Sequence, residues 1–240
     1  MSNEKLDKLK KILIGEVDLE FITHKLLPLI LIVFCGFLFI SWLLYPPTSY
    51  SMLTKTISSL GNPGDSVFGG WIVWSVGMAA SAFLFFPLLP YVHKKLYKGH
   101  ILNKVLIVFG SFFFCCTIWG MIFLGVIPQF GDIHYLYSLY HAVNAILAFG
   151  GMYLGMGIYC FSMLIHMLLN KRKKDKLMIA FNFCWWIPPI GLGTAEYIRA
   201  AYSIPKDSIW FLNFPFWEWV LLIAGLVALL LMFQMASKEE

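Results

Sequence analysis

Two histidines, two glutamates, one arginine and a few hydroxyls stand in or beside strongly apolar stretches of this chain, and they are the residues that could do chemistry. His134 and His141 are seven apart, which puts them on one helical face, with Ser138 between them and Asn144 continuing the stripe. Glu196 and Arg199 are three apart and can pair on one face. Glu218 sits between Trp217 and Trp219 near the start of the last apolar run. A hydroxyl-rich stretch supplies Thr56, Ser58, Ser59, Asn62 and Asp65. Ionisable groups are costly in hydrocarbon and are functional candidates by default. Ser58 or Ser59, His141 and Glu218 are the residue types of a nucleophile, a base and an acid for acyl transfer, although no Gly-x-Ser-x-Gly elbow is present. His134, His141, Glu196, Glu218 and Asp65 include zinc-type ligands, but no His-Glu-x-x-His pair organises them, and neither a metal nor another cofactor is expected.

Each has a structural alternative that the sequence leaves open. Glu196 and Arg199 could be an ion pair closing the end of a bundle. His134 could be solvated among headgroups, and His141 could hydrogen-bond Glu218 or a loop carbonyl. Glu218, inside a tryptophan-flanked helix end, needs a partner most of all.

The elements that must position these groups are membrane helices. Of the 240 residues, 60% are hydrophobic and only 13% charged, about half the charge of an average soluble domain. Six apolar runs, at about 25–46, 69–92, 104–127, 134–168, 178–203 and 214–236, reach the roughly 20 residues that a bilayer core requires. No alternating strand pattern suggests a barrel, so the expected fold is an all-α bundle of six transmembrane helices. It comprises a cytoplasmic amphipathic segment at 1–24, a membrane domain at 25–236 and a tail at 237–240. Leu6, Leu9 and Leu13 alternate with lysines in the first segment, as in a helix lying on a leaflet.

Of the 18 Lys and Arg, all but Lys55, Arg199 and Lys206 fall before the first run, in alternate gaps or after the last run. The positive-inside rule then places both termini in the cytoplasm, in the plasma membrane. The net charge of +5 is thus a topology signal, with membrane lipids as the expected partners and nucleic acid not expected. The five cysteines all lie inside runs and read as packing residues. By the same topology, the candidate residues share the outer side.

Local signals refine this plan. The long loop at 47–68 is expected to act as a lid, with 49–60 as a short surface helix. Pro87 and Pro90 should kink or end the second run, and Pro188-Pro189 should bend or break the fifth. Gly151 and Gly155 form a small-xxx-small pair, suited to internal packing or to a homodimer seam; the chain is expected to be a monomer or such a dimer.

Three segments carry a resemblance: SYSMLTKTISSLGNPG, GVIPQFGDIHYLYSLYHAVNAILAFGG and FWEWVLLIAGLVALLL. Over about 45–235 the chain resembles a prokaryotic six-span membrane family catalogued as domain of unknown function nine-nine-eight, and it is distantly similar to the Frag/DRAM/Sfk family. The resemblance rests on Ser58, Leu60, Gly61, Pro128, His141 and Glu218. It implies a six-span fold and, through the distant group, a connection with membrane lipid organisation. One position departs: the residue between Ser58 and Leu60 is often acidic in that family and is Ser59 here.

The function expected from sequence is therefore lipid or amphiphile handling at an outer-leaflet polar cleft. His141, Glu218 and Ser58 are its central residues, and His134, Asn144, Glu196, Arg199, Ser59 and Asp65 its ligand contacts. The runner-up is a membrane-embedded hydrolase or acyltransferase using His141, Glu218 and Ser58 on lipid esters. A small-molecule transporter stands third, on the strength of a broken fifth helix.

Overall fold

Six helices long and apolar enough to cross a membrane run through the chain: Leu19–Leu43, Gly70–Leu96, Ile101–Val126, Leu139–Leu169, Lys176–Ala201 and Phe214–Ala236, spans one to six below. They come from a computed structural model describing residues 3–46, 50–53, 55–64, 69–127, 135–169, 176–205 and 208–237. Among the described residues there is no strand, and the fold is the expected all-α membrane bundle. Burial follows lipid logic. Large apolar side chains such as Ile32, Phe83, Ile146 and Leu168 face outward, while Ser41, Ser81, Thr117, Asn103 and Ser162 are buried. Ser41 and Thr117 satisfy their hydroxyls on the carbonyls of Phe37 and Phe113, four residues back in their own helices. Small polar side chains are thereby carried inside with no partner helix required.

Spans one to four pack in sequence order, span six lies against span four, and span five leans mainly on span six. Spans three and four make the closest pair. A Cβ on Gly151 would fall 2.7 Å from the Phe113 carbonyl oxygen, and one on Gly155 would fall 3.1 Å from that of Gly110. The glycine pair therefore packs inside one chain, against span three.

The amphipathic start is a helix, Asn3–Leu13, with Leu6, Leu9 and Leu13 uncovered by protein. It ends at Gly15, whose φ of +71° only glycine adopts at low cost and whose Cα lies against the backbone of Pro90 and Tyr91. Glu16 follows and pairs with Lys94 at 3.1 Å on the exposed surface.

The prolines behave in two ways. Span two is interrupted after Phe85 and resumes at Leu88. Pro87 occupies the cap and Pro90 the first turn, where a missing N–H costs nothing. Span five, expected to bend or break, is one continuous helix through Pro188 and Pro189. A break in hydrocarbon would orphan more backbone groups than two prolines do, so the helix persists. The broken-helix feature on which the transporter reading leaned does not form.

The surface helix expected at 49–60 does not form either. Among the described residues of this stretch only Ile57–Gly61 winds, as a short 3-10 turn. Ile57 and Leu60 are fully buried while Met52 and Leu53 are exposed, so these four never share a face.

Candidate functional site

The turn at Ile57–Gly61 is pinned to the bundle by side chains from spans two and six. The Ile57 N–H donates to Glu218 Oε2 at 2.9 Å. This gives the buried carboxylate, 7% exposed, its one described hydrogen bond. It also fills the first donor of the 3-10 turn, which no side chain of the loop itself caps. Next to it, Trp219 Nε1 donates to the Lys55 carbonyl at 3.4 Å, and the Tyr50 hydroxyl donates to the Thr56 carbonyl at 3.1 Å. Burial, with the Glu218 charge adding to it, pushes the Tyr50 phenol above its ordinary pKa, so Tyr50 remains a donor. Ser59 Oγ is hydrogen-bonded to Thr56 Oγ1 at 2.9 Å.

Gly61 closes the turn flat on the indole of Trp74 in span two; a Cβ there would lie 2.6 Å from Trp74 Cε3. The far side of Trp74 meets His141, with ring centroids 6.3 Å apart and planes tilted by 31°. His141 is 6% exposed, and neither Nδ1 nor Nε2 has a side-chain hydrogen-bond partner among the described residues. The Ile127 backbone carbonyl also acts on the imidazole. Trp74 Nε1 and Ser75 Oγ are buried and unpartnered as well. An orphaned buried donor or acceptor costs about 1–3 kcal/mol. Most buried polar groups in native proteins avoid that cost, so each exception asks for a reason.

The expected residues thus separate into groups. Glu218, Ser59 and the loop turn come together. His141 joins them through Trp74 by ring packing; among the described residues no hydrogen bond connects it to Glu218, and of the two structural partners expected for it only a loop carbonyl, that of Ile127, acts on it. Ser58 is half-buried and bonded to neither. Asn144, one turn from His141, donates to its own helix at the Tyr140 carbonyl, 2.9 Å away. Glu196 and Arg199 form the ion pair their spacing implied, and no hydrogen bond or ion pair joins that pair to Glu218 or His141. His134 and Asp65 lie outside the described residues. No cluster of three or more His, Cys, Asp or Glu suited to a metal occurs among the described residues.

Sequence reading missed Trp74, the Ile57 amide and Tyr50. Gly61 was the available signal, since a glycine closing a buried turn implies something flat pressed against it. Reading also missed a second polar cluster, at the opposite, basic end of the bundle. There His93 Nδ1 meets Ser111 Oγ at 2.7 Å, Tyr159 donates its hydroxyl to the same oxygen at 2.9 Å, and Ser111 donates to the Ile107 carbonyl. Alongside, Asn103 donates to the carbonyls of Leu96 and Lys98 and accepts from Ser162. These groups are largely satisfied among themselves and tie span two to spans three and four.

Comparison of the chain with protein-family models, with curated proteins and with solved structures found no match.

Proposed function

We propose that this protein binds a lipid or other amphiphile at the end of the bundle that carries the 50–64 loop. His141 receives the polar part, and the turn latched to Glu218 acts as the lid. The observation that carries this is the buried imidazole with two unpartnered nitrogens, next to the orphaned Trp74 Nε1. A histidine kept for packing alone would be replaced without loss by an apolar ring, whereas a ligand oxygen or amine would satisfy it. An apolar wall with a few convergent polar groups is the usual form of a small-ligand site. The asymmetric distribution of Lys and Arg supports placing this end on the outer face of the plasma membrane, with both termini cytoplasmic. The resemblance through Ser58, Leu60, Gly61, His141 and Glu218 supports the same choice of residues. Ester cleavage would use the same residue types, but the geometry offers it less: no hydrogen-bonded relay runs from Ser58 through His141 to Glu218.

The test is native mass spectrometry with lipid extraction on the full chain and on His141→Ala and His141→Phe. Retention of a discrete lipid by the parent and its loss from both variants, with His141→Phe still folded, is the expected result. If nothing copurifies with the parent protein, or if His141→Phe retains the same species, the histidine is not a ligand contact and the reading fails.

A further inference from the structure

A second apolar cleft lies between spans four and five, at the other end of the molecule. It has a volume of about 430 Å3, inside the range of roughly 300–1,000 Å3 typical of small-ligand sites. Leu154, Ile158 and Phe161 line it from span four, and Met178, Asn182 and Trp186 from span five. It exists because span five rests on span six and meets span four at few points. One of those points is Trp185, which packs over Gly157 and donates its Nε1 to the Tyr153 carbonyl at 2.8 Å, closing the deep end of the cleft.

Its long dimension suits the ester region and the upper part of one chain of one leaflet. The lining extends from residue 178 to 186 on span five, about 12 Å at 1.5 Å per residue. A single leaflet contributes about half of a 30 Å hydrocarbon core.

The polar groups are graded along it. Lys176 begins span five, exposed, two residues before the lining starts. The helix N-terminus there adds its positive dipole end. The chain joining the two helices reads Asn-Lys-Arg-Lys-Lys-Asp, so this end carries a strong positive charge. Asn182 lies six residues deeper, about 9 Å. Its Nδ2 donates one hydrogen to the Met178 carbonyl at 2.7 Å, leaving a second N–H directed at no described protein group. An exposed carboxamide at that depth is costly against plain hydrocarbon.

We propose that this cleft holds one acyl chain of an anionic phospholipid from the leaflet at the basic end. Lys176 receives the phosphate, and the free Asn182 N–H donates to an ester carbonyl. The basic charge of this end selects an anionic headgroup. This site is separate from the His141 cluster and does not depend on it.

The experiment is native mass spectrometry of the full chain titrated with dioleoyl phosphatidylglycerol or dioleoyl phosphatidylcholine, for the parent protein, Ile158→Trp, Asn182→Leu, Lys176→Gln and His141→Ala. Phosphatidylglycerol should bind the parent in preference to phosphatidylcholine, and Ile158→Trp should abolish that binding by filling the cleft. Asn182→Leu should weaken it about 2- to 12-fold, the value of one net hydrogen bond. Lys176→Gln should reduce the preference for the anionic lipid, and His141→Ala should change none of this. Asn182 is exposed, so its variant reads out even where Ile158→Trp fails to fold. Equal binding of both lipids, no binding, or binding unaltered in Asn182→Leu would each overturn the proposal.

Discussion

Replacing Glu218 tests the latch on which the candidate site depends. In Glu218→Leu the side chain keeps its place against the turn but accepts nothing, and the Ile57 N–H, buried and 2.9 Å from the lost oxygen, has no substitute. A hydrogen bond to a charged group contributes about 1.5–3 kcal/mol. If opening of the 57–61 turn is what exposes that amide, losing the bond should speed its hydrogen exchange by about 10- to 150-fold. Glu218→Gln keeps an acceptor oxygen in the same place, loses only the charge assistance, and should fall between the two, with an acceleration of about fivefold. The assay is hydrogen–deuterium exchange by mass spectrometry on peptides covering 50–64, in detergent or nanodiscs, with the peptides of span three as internal controls. The graded order, parent slower than Gln slower than Leu, confined to the loop, is the expected outcome. A uniform rise across the bundle would mean that Glu218 supports global stability and latches nothing. An unchanged rate in Glu218→Leu would refute the bond itself.

Two further substitutions probe the packing around the site and the cluster at the basic end. Gly61→Ala places a methyl 2.6 Å from the Trp74 ring. The indole has to move, at a cost of about 1–3 kcal/mol, and because Trp74 also packs on His141, the variant should lower both the thermal midpoint and retention of any lipid bound at the His141 cluster. Asn103→Leu removes two hydrogen bonds to the carbonyls of Leu96 and Lys98 and the acceptor for Ser162. It should destabilise the protein by about 2–4 kcal/mol, read as thermal unfolding in detergent, while leaving exchange of the 50–64 peptides relative to the rest unchanged.

The helices were legible because hydrocarbon imposes a length and a composition on every span, and neither depends on tertiary context. The runs expected at 104–127 and 214–236 differ by three residues or fewer from Ile101–Val126 and Phe214–Ala236. Errors gathered where two local rules competed. The proline rule predicts a bend or a break at Pro188-Pro189, and the break does not occur: inside a bilayer the freed carbonyls have no solvent to turn to, and the backbone stays helical. The stretch 49–60 was read by its apolar spacing. Its conformation is set by a carboxylate about 160 residues later in the chain, which takes the Ile57 amide and decides where winding begins.

The same reasoning explains why one end of the bundle announced itself and the other did not. Glu218, Glu196, Arg199 and His141 are conspicuous because a charge or an imidazole in hydrocarbon is rare. Asn103, Ser111, Tyr159 and Ser162 are ordinary residues of membrane helices, and a serine hydroxyl can satisfy itself locally, as Ser111 does on the Ile107 carbonyl. Their convergence exists only in three dimensions, across spans three and four, with His93 of span two joining at Ser111. The contrast in satisfaction is what separates a role in binding from a role in holding the fold. At the basic end hydroxyl meets hydroxyl, amide and imidazole, and the buried group left over nearby is the Tyr91 hydroxyl. At the loop end, among the described residues, the carboxylate is met by a single amide and the imidazole by no hydrogen bond. Two clusters of similar polarity at opposite ends of one bundle therefore differ in what they still require, and that difference, more than the rarity of the residues, is why His141 is the position to test for a ligand.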